Sequence, residues 1–219
     1  MTASSTIAPP ARRPARLTRR VLLEAAEHLA ERDPDLQRIL HTHGPPPLWA
    51  RAPGFETLIR IILEQQVSLA SAQAIFGRLR SEVVPLTAGR LVQLGIGRLR
   101  SLGVTRQKAA YCVQLAHAVR DGRLDLDALG GLDDDTVIAV LTAQRGVGPW
   151  SASIYLLMAL RRPDIWPAGD IALQRAVHRV KRLRRQRPAE QIARIAETWR
   201  PFRSVAARMI WQHYLAERR

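Results

Sequence analysis

An all-α fold is predicted by three features of the sequence. Alanine, leucine and arginine are abundant while aromatic residues make up only 5% of the chain, and alanine and unbranched side chains lose least conformational freedom in a helix. No segment alternates apolar and polar residues with period two for long enough to form a strand, and no fixed-period internal repeat is visible. Apolar residues recur instead at helical spacing, in stretches bounded by glycine and proline. With 219 residues, 47% of them hydrophobic, the chain is long enough to bury a proper core, and about ten helices in one unit are expected.

The elements follow in order. Residues 1–17, "MTASSTIAPPARRPARL", mix Pro, Ala, Ser and Arg without apolar periodicity and read as a flexible basic tail. Thr18 is a plausible N-cap for a helix reaching Arg32, in which Val21, Leu22, Ala25 and Leu29 oppose Glu24, Glu27 and Glu31. His41 and His43 lie two apart, which does not suit one helical face, and are expected in a loop. The "GPPP" run at 44–47 then forces an extended connection. A second helix spans Gly54 to Gln66 and, after the "VSLA" corner, a third spans Ser71 to about Val83.

Gly95 and Gly97 break Leu91–Leu99 into short turns, whereas Arg106–Arg120 is a helix with Ala109, Val113, Leu115, Ala116 and Val119 inward. "DLDALGGLDDDTVIAVLTAQR" holds a short helix, a glycine turn and a helix capped within Asp133–Asp135. The remaining helices are Pro149–Leu160, Ile171–Leu183, Pro188–Trp199 and Pro201–Ala216. Three of them open on proline, whose missing N–H costs nothing at a first helical position.

A formal net charge of +15 far exceeds what solubility requires and points to a phosphate-bearing partner, nucleic acid first. Cys112 is the sole cysteine, so an intrachain disulfide, a thiolate zinc site and a four-cysteine iron–sulfur cluster are excluded, and a reducing cytoplasm fits. No apolar run is long enough to span a bilayer, and no apolar signal core opens the chain.

Between two apolar helices, Arg145-Gly146-Val147-Gly148 followed by Pro149 spells a helix–hairpin–helix. Its glycines permit left-handed or closely approached backbone, and the uncapped start of the next helix offers free N–H groups to a phosphate. A turn between packed helices needs no ligand, so the hairpin alone leaves two readings open. Trp150 next to it and Asp170 twenty residues on, at the start of another helix, shift the balance.

Four stretches in order, "ILEQQVS" (62–68), "GVGPWSASIYLL" (146–157), "PAGDIALQRAV" (167–177) and "WRPFRSVAARMIW" (199–211), resemble the helix–hairpin–helix (HhH-GPD) DNA glycosylase superfamily, and within it the 3-methyladenine DNA glycosylase II group. The resemblance covers about residues 50–217. It implies a two-lobed all-α fold with the active-site cleft between a middle lobe, about 70–160, and a second lobe from 18–69 plus 161–219. The N-terminal sheet domain of some members is not expected, since the residues before the match are too few. The implied activity is monofunctional: alkylated bases of the 3-methyladenine and 7-methylguanine type are flipped out of double-stranded DNA and excised by water, by an enzyme expected to act as a monomer.

Within that resemblance each residue has an expected role. Breaking an N-glycosidic bond builds positive charge on the sugar, and Asp170 is the carboxylate expected to stabilise it and to orient water; its other reading is a helix N-cap. Trp150 stands where lyase relatives carry a Schiff-base lysine, so it implies hydrolysis and offers a π-face to an electron-poor base. Trp211, Phe55 and Tyr155 are the other base-pocket candidates, although Tyr155 is offset by one position and Ile154 occupies the family's place. Trp166 and Trp199 are expected in the core. Gln65 and Gln66 are the candidate wedge that fills the gap left by the flipped base.

At the hairpin, Gly146, Val147, Gly148, Trp150 and Ser151 are expected to meet the DNA backbone. The carbonyls of Thr142, Gln144 and Val147 are expected to hold a monovalent cation, sodium or potassium. No cofactor is expected in catalysis. Arg-rich "HRVKRLRRQR" (178–187) extends the phosphate track or is a solvated helix end. Two other readings are a non-catalytic DNA-binding module and a glycosylase/lyase that uses Lys108 or the N-terminal amine.

Overall fold

The computed structural model describes residues 15–185 and 187–217. Among them are eleven α-helices and no strand: α1 (Arg19–Arg32), α2 (Pro34–His43), α3 (Phe55–Glu64), α4 (Leu69–Glu82), α5 (Ala88–Ser101), α6 (Arg106–Arg120), α7 (Asp134–Thr142), α8 (Pro149–Met158), α9 (Ile171–Val180), α10 (Ala189–Glu197) and α11 (Arg203–Ala216), with a 3-10 turn at Ala128–Gly131 before α7. Short polar side chains decide where most of them start. Thr18, Asp33, Ser68, Thr87, Thr105, Asp133 and Asp170 each accept a first-turn N–H, satisfying a donor that the helix itself leaves unpaired.

Three expectations change. His41 and His43 are not in a loop: they close α2, which Asp33 caps, Pro34 opens, and Leu36 and Ile39 anchor in the core. Gly95 does break the helical backbone within Leu91–Leu99 (φ 74°, ψ 171°), dividing α5 into two helical segments, but Gly97 does not break it further; Leu91 and Leu99, one on each side of the break, are both buried. The tail expected over 1–17 falls mostly outside the described residues; at its end Leu17 is fully buried and donates its N–H to Arg161 O at 2.7 Å, so the ordered core begins before Thr18.

Packing sorts the helices into two sets. α3 packs on α4, α6 and α8, α5 on α6, and α7 on α8; α1, α2, α9, α10 and α11 pack on one another. α8 is buried from Ser151 to Leu157, as befits a helix apolar on nearly every side. Arg208 of α11, fully buried, bridges the sets by donating to Leu157 O, Leu48 O and Ser204 O at 2.7, 2.9 and 2.9 Å. Burial without a carboxylate partner pulls its pKa down to about 10. A buried cluster ties the second set together: Lys181 Nζ lies 2.6 Å from both Asp33 carboxylate oxygens, and Trp199 Nε1 donates to Asp33 Oδ2 at 2.7 Å. Among the described residues, no helix is long and apolar enough to cross a membrane.

Candidate active site

The hairpin is shaped by one glycine. Gly146 has φ 88°, and a Cβ placed on it would lie 2.3 Å from the ring of Tyr111, so no other residue fits against that ring. Gly148 caps α8 without a side-chain hydrogen bond and Pro149 occupies its first turn. The remaining first-turn N–H groups of α8 are thus free of any capping side chain, an arrangement suited to an anion. Gln144 O accepts from Val147 N–H at 3.0 Å. Among the described residues, no hydrogen bond reaches the carbonyls of Thr142 and Val147 outside the helices.

At the second residue of α8, half-buried Trp150 donates its indole N–H to Asp170 Oδ2 at 3.0 Å. Asp170 Oδ1 accepts the Leu173 N–H at 2.7 Å. The carboxylate is therefore both the N-cap of α9 and the partner of Trp150, and the contact joins α8 of one helix set to α9 of the other. Gly169 (φ 88°) makes the turn that brings Asp170 to this position. Two donors fix the carboxylate while leaving each oxygen a further lone pair for a developing cation or a water.

The aromatic candidates separate into two groups. Trp211 is 9% exposed and meets Trp49 edge to face, with ring centroids 6.5 Å apart. Trp49 was not among the sequence-based candidates. It sits in the extended stretch after the proline run, in a left-handed conformation (φ 44°), next to Leu48, whose carbonyl Arg208 holds. A bulky aromatic in strained backbone is the signal that could have flagged it, but a sequence does not display φ. Phe55, the first residue of α3, is half-buried against the core. Tyr155 is fully buried, and its hydroxyl accepts Gly54 N–H at 2.8 Å, where burial raises its pKa. Trp166 and Trp199 pack against each other with tilted rings, centroids 5.5 Å apart.

The two wedge glutamines also part company. Gln65 does not protrude. Its Nε2 donates to Gly146 O at 2.9 Å and to Ser151 Oγ at 2.8 Å, which also turns the Ser151 side chain inward. Gln66 is exposed, with φ 54°, and Val67 and Leu69 beside it are 40% and 57% exposed. Lys108, the alternative amine nucleophile, directs Nζ at Leu63 O (2.9 Å) and Gln65 O (2.5 Å), and burial lowers its pKa. In the arginine-rich stretch, Arg182, Arg184, Arg185 and Arg187 are exposed.

With this geometry in view, the chain can be set beside known proteins. A family model described as "HhH-GPD superfamily base excision DNA repair protein" matches residues 59–201. YfjP of Bacillus subtilis is 27% identical over 188 residues, 81% of this chain and 64% of that protein. DNA-3-methyladenine glycosylase 1 of Schizosaccharomyces pombe is 26% identical over 199 residues, 87% of each chain. The chain thus spans somewhat under two thirds of the Bacillus relative and most of the yeast one. A structure of the S. pombe 3-methyladenine DNA glycosylase Mag1 with abasic DNA superimposes with a TM-score of 0.79 at 25% identity, covering 86% of this chain and 95% of that one.

Proposed function

The chain belongs to the HhH-GPD superfamily of base excision DNA repair proteins, and on that premise we propose that it is a monofunctional DNA-3-methyladenine glycosylase, hydrolysing the N-glycosyl bond of alkylated purines flipped out of double-stranded DNA. The observation that carries this reading is the Trp150–Asp170 contact at the hairpin: a carboxylate held by two donors beside a helix start that can take a phosphate. The names of the yeast relative and of the solved Mag1 complex support the same substrate class.

In this mechanism the hairpin holds a phosphate next to the target nucleotide, the nucleotide turns out of the stack, and Gln66 enters the gap. An alkylated purine already carries positive charge and departs without a general acid. As it leaves, the Asp170 carboxylate stabilises the cationic sugar and orients the water that attacks it. Trp150 supplies no amine, and Lys108 is committed to two carbonyls, so hydrolysis is favoured over Schiff-base chemistry. Trp211 with Trp49 offers aromatic surface for an electron-poor base.

The reading extends to a sodium or potassium ion bound by the carbonyls of Thr142, Gln144 and Val147. The lack of hydrogen bonds to the Thr142 and Val147 carbonyls among the described residues suits such a donor set; bound there, the ion would supply positive charge to a DNA phosphate. The enzyme is proposed to act as a monomer in a reducing cytoplasm, where its buried Cys112 thiol, pushed up to about 12 by burial, stays protonated.

The direct test is product analysis on methylated duplex DNA. Free 3-methyladenine and 7-methylguanine should be released, with strands left intact until alkali treatment and no covalent adduct trapped by borohydride. Tight DNA binding without base release would favour the non-catalytic module; a trapped adduct would favour a lyase.

A further inference from the structure

Two polar side chains that the chemistry does not use tie the end of α3 to the hairpin. Lys108 reaches from α6 to the carbonyls of Leu63 and Gln65, at 2.9 and 2.5 Å. Helix carbonyls at that end lack intrahelical partners and carry the negative end of the dipole, so a cation there satisfies both. Gln65 continues the connection, giving both N–H bonds of its amide away from the helix, to Gly146 O and Ser151 Oγ. Gly146 in turn is locked on the Tyr111 ring. The next residue, Gln66, leaves this anchored point in a left-handed conformation that only a constrained neighbourhood maintains for a non-glycine residue.

We propose that Lys108 and Gln65 are positioning residues that hold the Gln66 corner in fixed register with the hairpin, so that gripping the phosphate and entering the base stack occur as one rigid-body event. The inference rests on the glycosylase reading and assigns these two residues to extrusion, not to bond cleavage. Burial of the Lys108 ammonium, which lowers its pKa, is a standing cost that a solvent-exposed lysine would avoid. Its return is a wedge already ordered before DNA arrives, so that no conformational entropy is lost when the gap is filled. A loosened corner would weaken the extruded state while leaving the Asp170–Trp150 pair in place. The loss must therefore depend on how strongly the target base is paired.

The experiment compares single-turnover excision by the full chain of one alkylated purine placed opposite its normal partner and opposite an abasic analogue. A 2-aminopurine beside the lesion reports extrusion independently of bond cleavage. Lys108→Met and Gln65→Met are each expected to lose about ten- to a hundred-fold on the paired lesion and to slow or diminish the fluorescence change. On the unpaired lesion they should stay near wild type, and Lys108→Arg, which keeps a cation in reach of both carbonyls, should recover much of the loss. Thermal melts of each variant separate misfolding from misplacement, and half-buried Gln65 is the milder site should Lys108→Met not fold. Equal losses on both substrates, or none on the paired one, would overturn the proposal. If wild type extrudes the base without cutting it, the glycosylase reading fails while the fluorescence comparison still judges the positioning role.

Discussion

The indole N–H of Trp150 lies 3.0 Å from Oδ2 of Asp170, linking the first turn of the helix after the hairpin to the carboxylate that caps the next. The contact gives Trp150 a role distinct from stacking: it fixes where the charge of Asp170 points. Trp150→Phe keeps an aromatic face and removes only the donor. A hydrogen bond to a charged group contributes about 1.5–3 kcal/mol, so the excision step should slow by about ten-fold or more, with DNA affinity little changed. Single-turnover rates beside binding curves check this; a wild-type rate would show that the ring face alone matters.

Gly146 should tolerate no side chain. Gly146→Ala forces a Cβ into the Tyr111 ring and keeps a left-handed φ, which together should cost about 3 kcal/mol of stability. Urea unfolding measures the loss, and Tyr111→Ala in the same chain should restore the part due to the clash and leave the part due to φ.

Two helix starts were legible in the sequence because capping is local: Thr18 and Asp133 each accept an N–H three residues along the chain, whereas Ser68, which caps α4 from Leu69, fell inside the expected "VSLA" corner. α2 was missed because His41 and His43 dominated a short polar stretch, although Leu36, Ile39 and Leu40 carry helical spacing. Long-range contacts divided what neighbouring letters could not. Gln65 and Gln66 are identical side chains side by side, and only the position of Gly146 and Ser151 in space makes one a tether and leaves the other exposed. Likewise nothing near Tyr155 in the chain announces that its hydroxyl meets Gly54, or near Trp49 that Trp211 awaits it.

Asp33 should govern acid stability. Burial raises its pKa, but the Lys181 and Trp199 hydrogen bonds and the Lys181 charge outweigh that and hold the carboxyl below the ordinary aspartate value. Its contribution is therefore complete above about pH 4 and is lost as pH falls through the lower folded value. Asp33→Asn should destabilise the protein by about 3 kcal/mol at neutral pH, and the gap to wild type should shrink as the pH is lowered into the acid range. Denaturant melts across that range test both the size and the sign.

Trp49 should matter to the reaction despite its distance in sequence from every motif. Trp49→Ala removes the ring set against Trp211 and is expected to weaken excision of alkylated purines about ten-fold, with the loss falling on binding of the flipped base more than on the rate of bond cleavage. Saturating single-turnover kinetics separate the two.

The central claim, that Asp170 carries the chemistry, is tested most directly by Asp170→Asn. The amide retains one oxygen to cap α9 through Leu173 N–H, so the fold and the DNA grip should survive, while its NH2 replaces the oxygen that accepted from Trp150 and the negative charge facing the sugar is gone. On duplex DNA holding a single methylated purine, single-turnover excision should fall by at least about a hundred-fold, with melting temperature and affinity for abasic-site DNA close to wild type. Excision at the wild-type rate by a folded, DNA-binding Asp170→Asn protein would contradict the account.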